Sequence, residues 1–155
     1  MIIRRAEKKD ISRLIDLLHQ VLTIHAKLRP DLFIEGTTKY SSEQLEAMLE
    51  DETRPFFVSE EDGKVIGYAM CEVLPPAESE NMYAHRTLYL DDLCVDAAYR
   101  GKHAGKELYK AAAAYAKEIG CYHVTLNVWT GNREAERFYE AMGMTKMKTT
   151  MEQIL

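Results

Sequence analysis

The stretch from Leu88 to Met144 decides the fold of this chain. It begins with a strand-like run, LYLDDLCVD, over residues 88–96, and continues with AAYRGKHAGK over residues 97–106, where a helical pattern begins. After that helix, apolar and polar residues alternate over residues 124–128, and a second helical segment follows as GNREAERFYEAMGM over residues 131–144. A strand that leads into a basic, glycine-flanked loop at the start of a helix is typical of a polyphosphate-binding site.

Working outward from this stretch, periodicity predicts an α/β domain with a mixed sheet. Short alternating segments predict strands, and apolar residues spaced three and four apart predict helices. Ser41 and Gln44 form a capping-box pattern for the second helix, and Glu61-Asp62-Gly63 marks a hairpin turn. The predicted order is β-α-α-β-β-β-α-β-α-β, with the last strand over residues 145–155, and we expect residues 1–155 to form one domain.

Composition limits the classes of function. Apolar residues make up 46% of the 155 residues and charged residues 29%, which suits a globular protein. The net charge of −5 argues against a general nucleic-acid binder, and no apolar run approaches the roughly 20 residues of a membrane helix. The N-terminus lacks the apolar region of a signal peptide. The three cysteines are interpreted as reduced thiols of a cytoplasmic protein, and the five histidines show no metal-ligand spacing.

The basic loop is the first candidate site. At the start of a helix, free backbone N–H groups and the positive end of the helix dipole face any bound anion. The candidate phosphate-binding residues are Arg100, Gly101, Lys102, His103, Ala104, Gly105 and Lys106. Taken alone, such a loop is better interpreted as a helix entry with solvated basic side chains, and it matches neither a Walker loop nor a Rossmann fingerprint.

With the Asn-x-x-Ala-x-x-Phe-Tyr motif of residues 132–139, the loop resembles the acetyl-CoA site of the GNAT superfamily of N-acetyltransferases. The resemblance implies a GNAT-type mixed, mostly antiparallel sheet flanked by helices, acetyl-CoA as cofactor and an acyltransferase activity. The family's loop reads Arg/Gln-x-x-Gly-x-Gly/Ala. Arg100 and Gly105 match it, but His103 replaces the middle glycine, which predicts either crowding of the pyrophosphate or a direct histidine contact with it.

The same resemblance assigns roles around the thioester. Asn132 would bind the pantetheine arm or cap the last helix, and Tyr139 would protonate the leaving thiolate. A role as a core aromatic residue is favoured for Phe138 and not for Tyr139. Backbone groups of three residues would bind the pantetheine and polarise the thioester carbonyl, namely Leu93, Cys94 and Val95. Cys94 is expected to be a strand residue and not a nucleophile.

Two adjacent carboxylates in an otherwise apolar strand indicate the acceptor. The run Tyr-Leu-Asp-Asp-Leu-Cys-Val resembles the strand of diamine (polyamine) N-acetyltransferases, which implies that Asp91 deprotonates the amine and that Asp92 binds the cationic substrate. Adjacent strand residues point to opposite faces unless a bulge redirects one of them. The alternative is that one aspartate pairs with a basic residue such as Arg86 and the other faces solvent.

The implied reaction is direct transfer of acetyl to a primary amine of a small molecule, such as a polyamine, a diamine or a lysine-like compound. By resemblance, the pocket walls would include His25, Arg29, Tyr83 and His85. A protein or peptide N-acetyltransferase and a non-catalytic acyl-CoA sensor remain alternatives. Family members are often dimers, so a homodimer is compatible with the sequence.

Overall fold

The computed structural model describes all residues from 1 to 155, and its elements follow the predicted order up to the last one. The strands are β1 (Ile2–Arg5), β2 (Phe56–Glu61), β3 (Lys64–Leu74), β4 (Thr87–Val95) and β5 (His123–Thr125). The helices are α1 (Ile11–Leu28), α2 (Ser42–Glu50), α3 (Ala104–Glu118) and α4 (Arg133–Ala141), and short 3-10 turns cover Lys8–Asp10 and Ala97–Tyr99. None of the helices is long and apolar enough to cross a membrane.

The five strands form one sheet in the order β1-β2-β3-β4-β5. All neighbouring pairs are antiparallel except β4 and β5, which run parallel. The predicted hairpin joins β2 to β3, where Asp62 and Gly63 both have positive φ, at 51° and 74°. Two consecutive positive φ values are typical of the turn that matches the twist of paired strands. The α/β class and the mostly antiparallel sheet are confirmed.

A hydrophobic layer covers each face of the sheet. On one face, Leu14 of α1 and Leu45 of α2 pack against alternate sheet residues such as Tyr68 and Met70. On the other face, Leu108, Ala112 and Ala116 of α3 pack against the sheet residues Phe57, Ala69, Cys71, Leu88 and Leu90. The capping box of α2 forms as predicted, with the Gln44 N–H donating to Ser41 Oγ at 3.2 Å and the Ser41 N–H to Gln44 Oε1 at 2.8 Å.

A β-bulge interrupts β4 at Asp91. Met70 pairs with Asp92 and Cys71 pairs with Leu90, so Asp91 has no partner residue on β3. The bulge changes the alternation of the strand. Leu90 lies in the α3 layer, whereas Cys94 lies in the α1 layer. Because neighbouring residues alternate, Asp91 lies on the face opposite Leu90, and Asp92, two residues before Cys94, lies on the same face as Cys94. Both carboxylates therefore face α1 and α2.

The predicted final strand is not formed in this chain, and that part of the predicted order is wrong. Residues 145–155 have no helix or strand assignment and are exposed along their whole length. None of their backbone groups bonds to β5, and the backbone of residues 126–128 likewise bonds to no other backbone group. A strand pattern becomes a strand only when a neighbour accepts its hydrogen bonds.

Candidate active site

The separation of two parallel strands opens the sheet next to the basic loop. β4 and β5 pair only from Thr87–His123 to Tyr89–Thr125, and beyond that point the β5 side of β4 has no neighbour. The Asp96 N–H points to β3, where it donates to the Ile66 carbonyl at 2.8 Å. Alternation along the strand therefore points the N–H groups of Leu93 and Val95 into the gap between β4 and β5.

The loop that follows β4 presents a row of free donors. None of the backbone N–H groups from Arg100 to Lys106 donates to another group of the chain. Gly101 has φ +81°, and His103, the N-cap of α3, has φ +65°. The histidine that replaces the family's glycine thus adopts the left-handed conformation that a glycine favours. The loop keeps a concave backbone that can bind an anion.

Helix α1 holds this loop in place. The Arg13 guanidinium forms an ion pair with the carboxylate of Asp96, and Arg13 Nε donates to the Val65 carbonyl at 3.0 Å. Gln20 Oε1 accepts the N–H of Ala97 at 3.1 Å. Burial raises the pKa of Asp96, but hydrogen bonds from the Ala98 N–H and from Arg13 outweigh it, so the net pKa is lowered and the carboxylate stays charged.

The three basic side chains of the loop differ in their partners. Lys102 Nζ lies 3.1 Å from Glu61 Oε2 and makes a cation–π contact with the ring of Tyr99. Arg100 and Lys106 have no hydrogen-bond or ion-pair partner within the chain. Their charges are therefore the ones available to a bound phosphate group.

Helix α4 borders the gap on the α3 side. Asn132 caps this helix by accepting the Ala135 N–H at 3.2 Å, so the helix-capping role that the sequence allowed is confirmed. The Phe138 ring lies against the start of α3, where a Cβ on Gly105 would come within 3.4 Å of it. This packing brings α4 next to the basic loop.

Tyr139 belongs to the layer that lines the gap. Its ring packs near Tyr109, with ring centroids 6.3 Å apart, and its hydroxyl has no hydrogen-bond partner in the chain. Burial, followed by the nearby charge of Asp92, raises the pKa of the Tyr139 phenol well above its ordinary value. The phenol therefore stays protonated at neutral pH and can donate a proton.

Cys94 is buried in the α1 layer. Burial raises the pKa of its thiol to about 12, and its Sγ donates to the Leu17 carbonyl at 3.7 Å. A buried neutral thiol in the α1 layer is a poor nucleophile. The geometry therefore agrees with the expected role of Cys94 as a strand residue.

The Asp91 carboxylate is bound by two consecutive residues of the segment before α2. Lys39 Nζ lies 2.8 Å from Asp91 Oδ1, and the Tyr40 hydroxyl donates to Asp91 Oδ2 at 2.6 Å. The Asp91 side chain is 12% exposed. Both oxygens of this carboxylate are thus engaged, one of them by an ammonium group.

The Asp92 carboxylate has a different environment on the same face. The Tyr68 hydroxyl donates to Asp92 Oδ2 at 2.7 Å. Burial raises the pKa of Asp92 to about 6, against the lowering effect of the Tyr68 hydrogen bond and the Lys39 charge. A carboxyl group with a pKa close to the working pH is suited to proton transfer.

The structure separates the expected pocket residues into two groups. His25 lies on the Lys39 side of the site: burial and then the charge of Lys39 lower the pKa of its imidazole, and its ring packs 5.1 Å from Phe33. Arg29, one helical turn on, is occupied by ion pairs with Asp31 at 2.7 Å and Glu152 at 2.5 Å.

Tyr83 and His85 lie at the other end of β4. His85 stacks on Tyr122 with ring centroids 3.9 Å apart, just before the first paired residue of β5. Six residues of extended chain separate His85 from Asp91, which is about 20 Å. The structure therefore does not bring Tyr83 and His85 to the carboxylates. The suggested Arg86 pairing is also wrong, because Arg86 donates to the Ile119 carbonyl at 2.7 Å.

Comparison with known proteins agrees with this geometry. The model of the acetyltransferase (GNAT) family matches residues 19–144. This chain belongs to the GNAT family. It is 30% identical over 143 residues to the uncharacterized N-acetyltransferase YhfO of Bacillus subtilis, covering 92% of this chain and 89% of that protein. A structure of the BH1408 protein from Bacillus halodurans, a tetramutant, superimposes with a TM-score of 0.95 at 31% identity, with 100% of both chains covered.

A further relative is the spermine/spermidine N(1)-acetyltransferase of Bacillus subtilis, 29% identical over 83 residues. That match covers 53% of this chain and 53% of the enzyme, so it spans about half of each protein. The family membership makes this GNAT chain an acyl-CoA-dependent N-acetyltransferase that uses acetyl-CoA.

The residues present fit acetyl-CoA. The loop's free N–H groups and the unpaired Arg100 and Lys106 suit a pyrophosphate, and the open edge of β4 at Leu93 and Val95 suits the amide-bearing pantetheine arm. When bound, acetyl-CoA supplies the thioester whose acetyl group is transferred.

Sequence reasoning missed Lys39, Tyr40 and Tyr68 as neighbours of the carboxylates. Lys39 and Tyr40 lie about 50 residues before Asp91, in a segment whose apolar residues follow neither a helical nor a strand pattern. In the sequence, Tyr68 looks like one more apolar residue of a buried strand. The one available signal was the need to satisfy two carboxylates in an apolar strand, which demands nearby donors without saying which residues supply them.

Proposed function

We propose that this enzyme transfers the acetyl group of acetyl-CoA to a primary amine of a small cationic molecule of the polyamine, diamine or lysine-like class. The observation that carries the proposal is the bulge at Asp91, which places two carboxylates on one face beside the gap between β4 and β5. A pair of carboxylates at the acceptor side attracts a cation, and the net charge of −5 assists.

The two carboxylates would divide the work. Asp91 already binds an ammonium group, so it is suited to hold the acceptor's cationic end. Asp92, with a pKa raised by burial to about 6, is suited to take a proton from the amine, directly or through water. This assignment is the reverse of the one that the resemblance implies, and it rests on the partners that each carboxylate has in the fold.

The remaining groups act on the thioester. The Leu93 N–H, which points into the gap, would stabilise the oxygen on which negative charge develops. Tyr139, whose phenol keeps its proton at neutral pH, would give that proton to the departing sulfur. An alkyl amine has a pKa of about 10.4 and arrives protonated, so deprotonation at Asp92 is needed before the nitrogen can attack.

Two relatives support the substrate class. One is named as a spermine/spermidine N(1)-acetyltransferase and another as a thialysine N-epsilon-acetyltransferase, which is 32% identical over 79 residues. Both names describe amines with a second charged group. We further propose that the chain forms a single catalytic domain acting in the cytoplasm, where its three free cysteines would stay reduced.

The test is release of CoA thiol by the purified protein with spermidine, cadaverine, lysine, an aminoglycoside and a lysine peptide as acceptors. We expect the highest kcat/KM with a polyamine, a diamine or lysine. Asp91→Asn should raise KM for the preferred amine and leave acetyl-CoA affinity unchanged, whereas Glu72→Gln, at a carboxylate on the same sheet but outside the site, should change neither. Turnover confined to the peptide would contradict the proposed substrate class.

A further inference from the structure

The acceptor site contains an amine of its own. The side chain of Lys39 ends in a primary ammonium group, which is the same functional group as that of the proposed acceptor. Its Nζ lies 2.8 Å from Asp91 Oδ1, where the proposed function places the acceptor's cation. Asp91 lies two residues beyond Tyr89, the last β4 residue that pairs with β5, and therefore about 7 Å along the strand from the point where the gap opens.

The contact is held from two sides. Tyr40, next in sequence, donates its hydroxyl to the other oxygen of Asp91 at 2.6 Å, and the Lys39 ammonium also lies over the Tyr40 ring, 5.5 Å from its centroid. The Lys39 side chain is 46% exposed, so it remains free to leave. A flexible lysine on a non-helical segment can therefore alternate between Asp91 and solvent.

We propose that Lys39 is an internal competitor for the acceptor position and becomes acetylated on Nζ when acetyl-CoA is bound and no amine acceptor is present. This inference rests on the proposed function. In the reaction, the Lys39 ammonium loses a proton to Asp92 or water, its nitrogen forms a bond to the acetyl carbon, and the bond from that carbon to sulfur breaks. The leaving thiolate takes a proton from Tyr139, so the products are acetyl-Lys39 and CoA.

Lys39 should react more slowly than a true acceptor. Burial disfavours its charge, but the hydrogen bond and charge of Asp91 outweigh that effect and raise its pKa. Less of it is neutral at a given pH than of a free amine. Acetylation would remove the charge that competes for Asp91, so the modified enzyme would bind cationic acceptors more tightly.

The first test is mass spectrometry of the intact protein and its peptides after incubation with acetyl-CoA alone. We expect one acetyl group on Lys39, formed at least tenfold more slowly in Tyr139→Phe and suppressed by the preferred amine. Lys110, an exposed lysine on α3, reports non-enzymatic acetylation. Equal labelling of Lys39 and Lys110, or unchanged labelling in Tyr139→Phe, would overturn the inference.

The second test needs no acetyl-CoA. Calorimetric titration of the protein with spermidine should give a dissociation constant about tenfold lower for Lys39→Met, because the competing ammonium is gone. Lys110→Met removes the same charge elsewhere and should leave the constant unchanged; equal effects would overturn the inference. A protein that acetylates amines but never Lys39 refutes only this inference, whereas one that binds acetyl-CoA and acetylates neither refutes the proposed function.

Discussion

The two sides of β4 are built from the sequence in different ways. On the cofactor side, the free N–H groups, the basic side chains and the capping Asn132 all come from residues 93–139 in order along the chain. On the acceptor side, Asp91 and Asp92 depend on Lys39, Tyr40 and Tyr68, which lie between 24 and 52 residues away. The groups proposed to bind acetyl-CoA thus come from one contiguous stretch, which Arg13 and Gln20 of α1 hold in place, whereas the acceptor position is assembled from distant segments.

The largest effect is expected where the two sides meet, at Tyr139. Tyr139→Phe removes the proposed proton donor to sulfur and should lower kcat by about 10²- to 10³-fold, because general acid catalysis contributes about this much. Acetyl-CoA affinity should change little, since the ring remains. Steady-state kinetics with calorimetry separates the two effects, and Phe138→Leu in the same helix controls for packing. An unchanged kcat would remove Tyr139 from the chemistry.

The second effect tests the acceptor side through pH. Asp92 must be ionised to take a proton, and its pKa is raised to about 6, so kcat/KM should rise with pH up to about 6 and then level off until other groups titrate. Asp92→Asn should lower kcat by about 10²-fold and abolish this limb. If Asp91→Asn abolishes the limb instead, the assignment implied by the family resemblance is the correct one.

The third effect concerns stability at the same residue. The folded-state pKa of Asp92 exceeds its ordinary value of 3.8, so ionisation is harder in the folded protein and costs stability as pH rises from about 4 to about 6. Relative to Asp92→Asn, the wild type should lose up to about 1.4 kcal/mol of unfolding free energy for each pH unit in this window. Urea unfolding of both proteins across the range measures it. A pH-independent difference would contradict the buried-charge interpretation.

The fourth effect compares two lysines of the cofactor side. Lys106 has no partner, whereas Lys102 is held by Glu61 at 3.1 Å. Lys106→Gln should therefore weaken acetyl-CoA binding about fivefold, roughly 1 kcal/mol, and Lys102→Gln less than twofold. The Lys106 effect should shrink in high salt. Equal losses would show that Lys102 leaves Glu61 to bind the cofactor.

The smallest effect is expected at His103. The residue already adopts φ +65°, so His103→Gly relieves a left-handed side chain but adds freedom to the unfolded chain, and the two effects oppose each other. We expect stability within about 1 kcal/mol of the wild type and acetyl-CoA affinity within about twofold. A large gain in affinity would show that the imidazole crowds the pyrophosphate.

Local patterns accounted for most of the fold. The helices, the hairpin at Asp62-Gly63 and the capping box at Ser41 depend on neighbouring residues, so periodicity and turn chemistry predicted them. The sequence of β4 did not predict the bulge at Asp91, because the bulge depends on how β3 pairs with β4. The predicted final strand over residues 145–155 failed for the same reason, because no neighbouring strand in this chain pairs with it.

The most direct measurement is a crystal structure of the enzyme with CoA and its preferred amine. We expect the amine nitrogen to lie within hydrogen-bond distance of Asp91 or Asp92, both carboxylates to face the α1 side, and Lys39 to have left Asp91. An amine bound away from both carboxylates, or Lys39 still in contact with Asp91 beside a bound amine, would contradict the proposed acceptor site.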